Sequence, residues 1–179
     1  TGSGCVLLSS KRGEKDVFHN VRVKAATIGK VVDLGITDAS NMGAAMAPAA
    51  CDTIVTHLKD INRKITDYDL VVTGDLGSFG AEALYALCSE HGVDLSGRHV
   101  DCGNLVYHPE QKFSCGGSGC GCSAVTLSSF LLEKIENGGC KRMLFLATGA
   151  LLSPLSSMQG ESIPGIAHAV VLEQQKEDG

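Results

Sequence analysis

The stretch "YDLVVTGDLG" (68–77) opens as an unbroken apolar run at Leu70, Val71 and Val72, then breaks at Gly74. A strand with one wet face alternates polar and apolar residues. A run without alternation suits a strand covered on both faces, as in sheets flanked by helices. "KRMLFLATGALLSP" (141–154) repeats the pattern, an apolar run that ends on Thr-Gly. Helices are read around these two strands. "SNMGAAMAPAACDTIVTHLKDINR" (40–63) carries Ala50, Ile54, Leu58 and Ile61 at helical spacing. Pro48 suits the first turn of that helix better than its middle. "FGAEALYALCSEHG" (79–92) reads as a helix closed by Gly92, and 122–139 as one stopped by Gly138 and Gly139. "CVLLSS" (5–10) reads as a short strand. "VRVKAATIGKVVDLG" (21–35) reads as one long or bent strand, "RHVDCGNLVY" (98–107) as a short strand and loop, and "IPGIAHAVVLEQQ" (163–175) as a last strand.

Strands that alternate with helices imply a mainly parallel sheet with right-handed crossovers. The expected architecture is a single α/β domain over 1–179. In such sheets ligands bind beyond the carboxyl ends of the strands. Three loops leave those ends: "TGDLGSFG" (73–80), "SCGGSGCGC" (114–122) and "TGALLSPLSSMQGES" (148–162). If their strands are neighbours, the loops share one mouth.

Composition narrows the function classes. The 179 residues suffice for one domain with a real core. A net charge of −5 gives no nucleic-acid footprint. No apolar run reaches the length of a membrane span, and the first residues lack the basic leader of a signal peptide. The eight cysteines, in a chain of this size without a secretory leader, read as free thiols in a reducing compartment. Cys115, Cys120 and Cys122 have CxxxxC and CxC spacing with no adjacent His, a poor match to a zinc site. Cys122 stands at a predicted helix start, where the helix dipole lowers a thiol pKa. Cys115 and Cys120 read as small residues in a tight loop. Around them Gly117 offers backbone N–H to an anion, Ser118 adds a hydroxyl, and Ser123 reads equally as a cap. Asp75 taken alone is a turn residue bonded to its own backbone, but its loop leaves a buried strand at the ligand end. Asp101 is equally ambiguous, and Glu161 carries less weight. His168 lies in an apolar strand and reads as a core histidine. His57 and His91 read as helix-surface or helix-end residues.

The strings "ATIGKVVDLGITDASNMGAAMAPAACDTI", "DLVVTGDLG", "GGSGCGCSA" and "ATGALLSPLSSMQGESIPGIAHAVVLE" resemble the stage V sporulation protein AD family of the thiolase-like superfamily. The resemblance covers nearly the whole chain. It implies the C-terminal half of a two-half fold, a layered α/β unit with a five-stranded mixed sheet flanked by helices. Residues 1–10 resemble the last strand of a preceding half. Condensing enzymes of the superfamily supply His and Asn, or a second His, from the loops that correspond to "VVTGDLG" and "GGSGCGCSA"; neither residue type stands there. Their nucleophilic cysteine belongs to the preceding half.

The resemblance therefore implies a non-catalytic role without cofactors: binding dipicolinic acid, free or as its calcium chelate, for uptake into the developing spore. Expected partners are the other half, further channel subunits at the spore inner membrane, and a second copy of the chain covering an exposed apolar face. Nucleic acid is not among them. The expected location is the cytoplasm or spore, peripheral to the inner membrane through those partners. Candidate ligand residues are Gly74, Asp75, Asp101, Gly117, Ser118, Thr148, Gly149 and Ser153, with no metal site formed by the protein alone. Asp75 would repel the dipicolinate dianion but suits a calcium chelate, since calcium takes oxygen ligands. "TGALLSP" resembles the superfamily's glycine-rich active-site floor, with Leu151 and Leu152 read as packing residues. Two rivals stand beside this: a residual acyltransferase or thioester-binding enzyme using Cys122, and a purely structural subunit of a membrane channel assembly.

Overall fold

The computed structural model describes residues 2–10, 20–111 and 119–175. The apolar runs form the middle of a five-stranded sheet: β1 (Val21–Thr27), β2 (Leu70–Thr73), β3 (His99–Asp101), β4 (Arg142–Ala150) and β5 (Gly165–Gln174). The strand order is β1-β5-β4-β2-β3. β2 runs parallel to both β3 and β4, whereas β5 is antiparallel to β4 and to β1. The sheet is therefore mixed. The mainly parallel expectation holds for the half around β2 and fails where β4 turns back into β5 without a crossover helix.

Both faces are covered. The long helices α1 (Met42–Asp60) and α2 (Gly77–Glu90) lie on one face. There Ile54 and Leu84 pack with Val71, Leu144, Leu146, Ala169 and Val171. On the other face Cys122, Leu131 and Ile135 pack with Leu70, Val72, Met143 and Phe145. Alternate residues of one strand thus feed two separate cores, as the two-residue strand period requires. Short helices complete the fold: α3 (Cys102–Leu105), α4 (Cys122–Thr126), α5 (Leu132–Glu136) and α6 (Pro154–Met158). A π-helical segment, Leu127–Leu131, joins α4 to α5. Hydroxyls of Thr126, Ser128 and Ser129 donate to the carbonyls of Cys122, Ala124 and Val125 in this stretch. Such back-bonding competes with the backbone ladder and bends it.

Several expectations need correction. Residues 5–10 form no ladder with any described strand, and Leu7 is 93% exposed. The long strand from 21 stops at Thr27; of its continuation, Val32 makes an isolated bridge to Gly165. Pro48 lies well inside α1, because the Asn41 side chain accepts from Ala44 N–H and starts the helix earlier. Ala44 and Pro48 are both half-buried, unlike Ala45, Met46 and Ala47 between them, so the ladder bond that Pro48 cannot donate to the Ala44 carbonyl is lost on the less buried side of the helix. His57 is fully buried rather than on a surface: its ring bonds Thr27 Oγ1 at 2.7 Å and Tyr68 OH at 2.7 Å, tying β1, α1 and the entry to β2. His168 is exposed rather than in the core, and its Nδ1 accepts from Gly29 N–H at 3.1 Å. The stops at Gly92 and Gly138 hold, both with positive φ.

α1 and α2 cross at Gly43 and Gly80. A Cβ on Gly80 would lie 2.8 Å from Gly43 Cα, against backbone that cannot yield. Gly80→Ala is expected to lower the urea midpoint of unfolding by the equivalent of about 1–3 kcal/mol, the usual cost of overpacking.

Candidate functional site

Strand lengths create the site. β2 ends at Thr73, which pairs with Leu146, but β4 continues through Ala147–Ala150 alongside β5. Thr148 and Gly149 are therefore still strand residues, paired with Ala167 and Ile166, not the start of a loop. The overshoot sets Thr148 beside the turn that leaves β2. Asp75 N–H donates to Thr148 Oγ1 at 3.2 Å. A Cβ on Gly74 would lie 2.8 Å from that oxygen and 3.5 Å from Ser123 Cβ, so only glycine leaves room for the approach. Gly119 N–H donates to Asp75 Oδ2 at 2.9 Å. Asp75 thus bonds across to another loop. Two of the three loops therefore meet each other and the β4 extension, at Gly74, Asp75, Gly119, Ser123 and Thr148. Ser123 stands in the first turn of α4 rather than at its cap, which is Gly121.

Asp101 lies beneath this mouth and not in its lining. It is 3% exposed. Its carboxylate accepts from Thr73 Oγ1 at 2.6 Å, Leu76 N–H at 2.8 Å, Gly77 N–H at 3.0 Å and Asn104 N–H at 3.3 Å. One side chain therefore caps α3 and holds the backbone at the start of α2. Burial raises its pKa, opposed by the Thr73 hydroxyl and the Leu76 and Gly77 N–H groups and assisted by the nearby charge of Asp75.

A polar chain not singled out from the sequence continues from it. Thr73 Oγ1 lies 2.9 Å from His99 Nε2, and His99 Nδ1 lies 3.0 Å from Tyr85 OH. The assignment that satisfies every group has Tyr85 donating to Nδ1, Nε2–H donating to Thr73, and Thr73 donating to Asp101. This requires neutral His99, and burial pushes its pKa down to about 4. The alternation of His99 and Asp101 on β3, opposite Thr73 of β2, is the one sequence signal for this cluster.

The remaining candidates separate. Gly149 lies in β4, where a Cβ would meet Ile166 Cγ2 at 3.5 Å. Ser153 is the N-cap of α6, accepting from Ser156 N–H at 3.4 Å, beyond the end of β4. Gly117, Ser118 and Cys115 lie outside the described residues. Leu151 is 73% exposed and does not pack as expected. Cys122 is 4% exposed within the second core. The described cysteines are all free thiols. Among the described residues no three His, Cys, Asp or Glu side chains group to hold a metal ion, and no helix is long and apolar enough to cross a membrane. A cleft of about 520 Å³, lined by Tyr85, Ser89, Val93, Asp94 and Ser96, opens toward the other end of α2. At 1.5 Å per residue, the helix separates its two ends by roughly 20 Å.

Residues 1–173 match the family model described as stage V sporulation protein AD (SpoVAD). The chain belongs to the stage V sporulation protein AD family. It is 48% identical over 174 residues to stage V sporulation protein AD of Bacillus subtilis (strain 168), a match that takes in 97% of this chain and 50% of that protein. The chain thus spans about half the length of this curated relative. Among solved structures it is similar to the acetyl-CoA acetyltransferase of Bacillus anthracis, at 16% identity and a TM-score of 0.46 over 87% of this chain and 31% of that one. It is also similar to a variant of OleA of Xanthomonas campestris with bound lauric acid and lauroyl-CoA, at 12% identity and a TM-score of 0.44 over 88% of this chain and 57% of that one.

The site makes two predictions. Cys5 and Cys120 are exposed and Cys51, Cys88, Cys102, Cys122 and Cys140 buried. Mass mapping after alkylation at neutral pH should find Cys5 and Cys120 modified quickly, and Cys122 only after denaturation. The second concerns acid. His99 and His57 both have lowered pKa values through burial, to which Arg63 adds for His57. In the unfolded chain imidazoles take protons near about 6.5. The unfolded state therefore binds more protons just below that pH, so stability is full above about 6.5 and falls as pH drops toward about 4. Asp101, whose pKa burial raises, opposes this. Urea midpoints measured across that range should decline with acid, and His99→Gln should flatten the decline.

Proposed function

We propose that this chain is part of a protein that binds dipicolinic acid for uptake into the developing spore, and that Gly74, Asp75, Thr148 and Gly149 form one wall of the binding site. The observation that carries the reading is the convergence of those loops at one mouth in a member of this family. Asp101 acts from below, by holding Leu76 and Gly77 in place.

Charge decides the form of the ligand. Asp75 is only half-buried and faces Gly119 and Thr148. A carboxylate there repels a dianion, and two unit charges 4 Å apart interact by roughly 4 kcal/mol near a protein surface. A calcium chelate reverses the sign, because Asp75 can offer carboxylate oxygen to the metal that the ligand carries. The favoured ligand is therefore the calcium chelate, with the metal as cargo. An acyl-transfer role would need an accessible nucleophile, and Cys122 is buried among apolar neighbours. On the same reading the chain reaches the spore inner membrane through partner subunits.

Calorimetric titration of dipicolinate, with and without calcium, into this chain and into a full-length counterpart tests the proposal. Calcium-dependent binding is expected, weaker in this chain. Asp75→Asn should lower the calcium-dependent affinity about tenfold or more, equivalent to at least 1.4 kcal/mol, while improving binding of the free dianion. No binding to either protein would leave the structural-subunit role in its place.

A further inference from the structure

Cys51 on α1 and Cys88 on α2 belong to one core, 4% and 0% exposed. The helix register brings them together. The two helices touch at Gly43 and Gly80, near the start of each. Four residues on stand Ala47 and Leu84, both fully buried, and four further on Cys51 and Cys88. Residues four apart share a helix face, so two matched rows face each other and the helices run in the same direction. At the far end of the rows the thiols are in contact: Cys88 S–H donates to the Cys51 sulfur. That bond lowers the pKa of Cys51, against burial and the charges of Asp52 and Glu90, and raises that of Cys88, where burial adds to it. Cys102 and Cys122 are neighbours in the other core, but the Cys102 side chain bonds to Thr126.

Two thiols in contact on separate helices are close to the geometry of a disulfide, whose Cβ atoms stand roughly 4 Å apart. We propose that Cys51 and Cys88 are a redox pair that closes to a disulfide when the chain meets a peroxide and reopens with a thiol reductant, stapling α1 to α2. Cys51, the better thiolate and the less enclosed, attacks first. Its sulfur bonds one peroxide oxygen, the O–O bond breaks, and the other oxygen leaves as water, so Cys51 becomes a sulfenic acid. The Cys88 sulfur then attacks the Cys51 sulfur. The S–S bond forms, the S–O bond breaks, and the hydroxyl leaves as water with the Cys88 proton. The two thiols give up two electrons and two protons in all, and hydrogen peroxide takes them to become two waters. Cys88 lies in the last turn of α2, where fraying opens the helix and admits so small an oxidant. The segment between the two cysteines holds β2 and the Gly74–Asp75 turn, so closure restrains the part of the chain that carries the mouth.

The test is peptide mapping without reductant, after hydrogen peroxide is added to the intact folded chain. A cross-link between Cys51 and Cys88 is expected, and dithiothreitol should remove it. The oxidised chain should melt higher by roughly 5 °C or more and return to its first midpoint on reduction. Cys88→Ala should leave Cys51 as a sulfenic acid that dimedone traps, and Cys51→Ala should leave Cys88 a thiol. Thermal melting shows whether these variants fold, and the map of the unaltered chain decides the matter without them. The exposed Cys5 and Cys120 report that the oxidant has acted. Their oxidation while Cys51 and Cys88 stay thiols overturns the proposal. So does a Cys102–Cys122 link that forms first, or a Cys51–Cys88 link that forms only in denaturant.

Discussion

The buried carboxylate of Asp101 collects a hydroxyl from β2, two backbone N–H groups from the start of α2 and one from α3. Burying a charge is costly unless every lone pair finds a donor. Here the donors come from three elements, so the cost is offset only when all three are in place together. That mutual requirement fixes where β2 stops, where α2 begins and how the turn between them is held. The Gly74–Asp75 turn rides on that anchor and reaches outward from it, through bonds to Thr148 and Gly119. The position of the proposed ligand wall is thus inherited from a residue that does not line it.

The second determinant is the antiparallel return of β5. Because β5 pairs with β4 from Arg142 to Ala150, the central strand is longer than its parallel neighbour β2. The extra length is a platform rather than a loop, and it gives Thr148 a strand's rigidity where it meets Asp75. A site assembled on strand ends is held more firmly than one on free loops, which suits recognition of a small rigid ligand. The same extension carries the 151–164 connection outward.

Much of this was legible in the sequence. Leu70, Val71 and Val72 announced a strand covered on both sides, and Gly92 and Gly138 marked real helix ends. That the loops after neighbouring strands share one mouth was expected only if the strands were neighbours, and the loops at Asp75 and Gly119 do meet, beside the end of β4. The failures have local causes. Thr148 and Gly149 were read as a turn because Thr-Gly ends β2, but a strand's end is set by its partner, and β5 begins only after the whole 151–164 connection. His57 and His168 exchanged roles. Burial of His57 depends on Thr27 and Tyr68, distant in sequence, and exposure of His168 follows from its place on the strand face opposite Ala167 and Ala169, which pack in the α1 core. Asp101 was weighed as a ligand because its donors come from residues 73, 76 and 77, a contact that no spacing rule reveals. Family resemblance supplied the proposed ligand class, which composition did not.

The π segment at Leu127–Leu131 holds one residue more than an α-helix would use for the same rise. It stands between Cys122 and Thr126 on one side and Leu132 and Ile135 on the other, with Cys122, Leu132 and Ile135 facing the same sheet. Because a π turn spreads nearly the same rotation and rise over one more residue than an α turn, the surplus is absorbed inside the segment and does not turn one end against the other. Losing that residue would leave a regular α-helix whose cysteine end and isoleucine end still face the sheet. The irregular turn is therefore the place where this helix can change length by one residue without disturbing the core on either side of it.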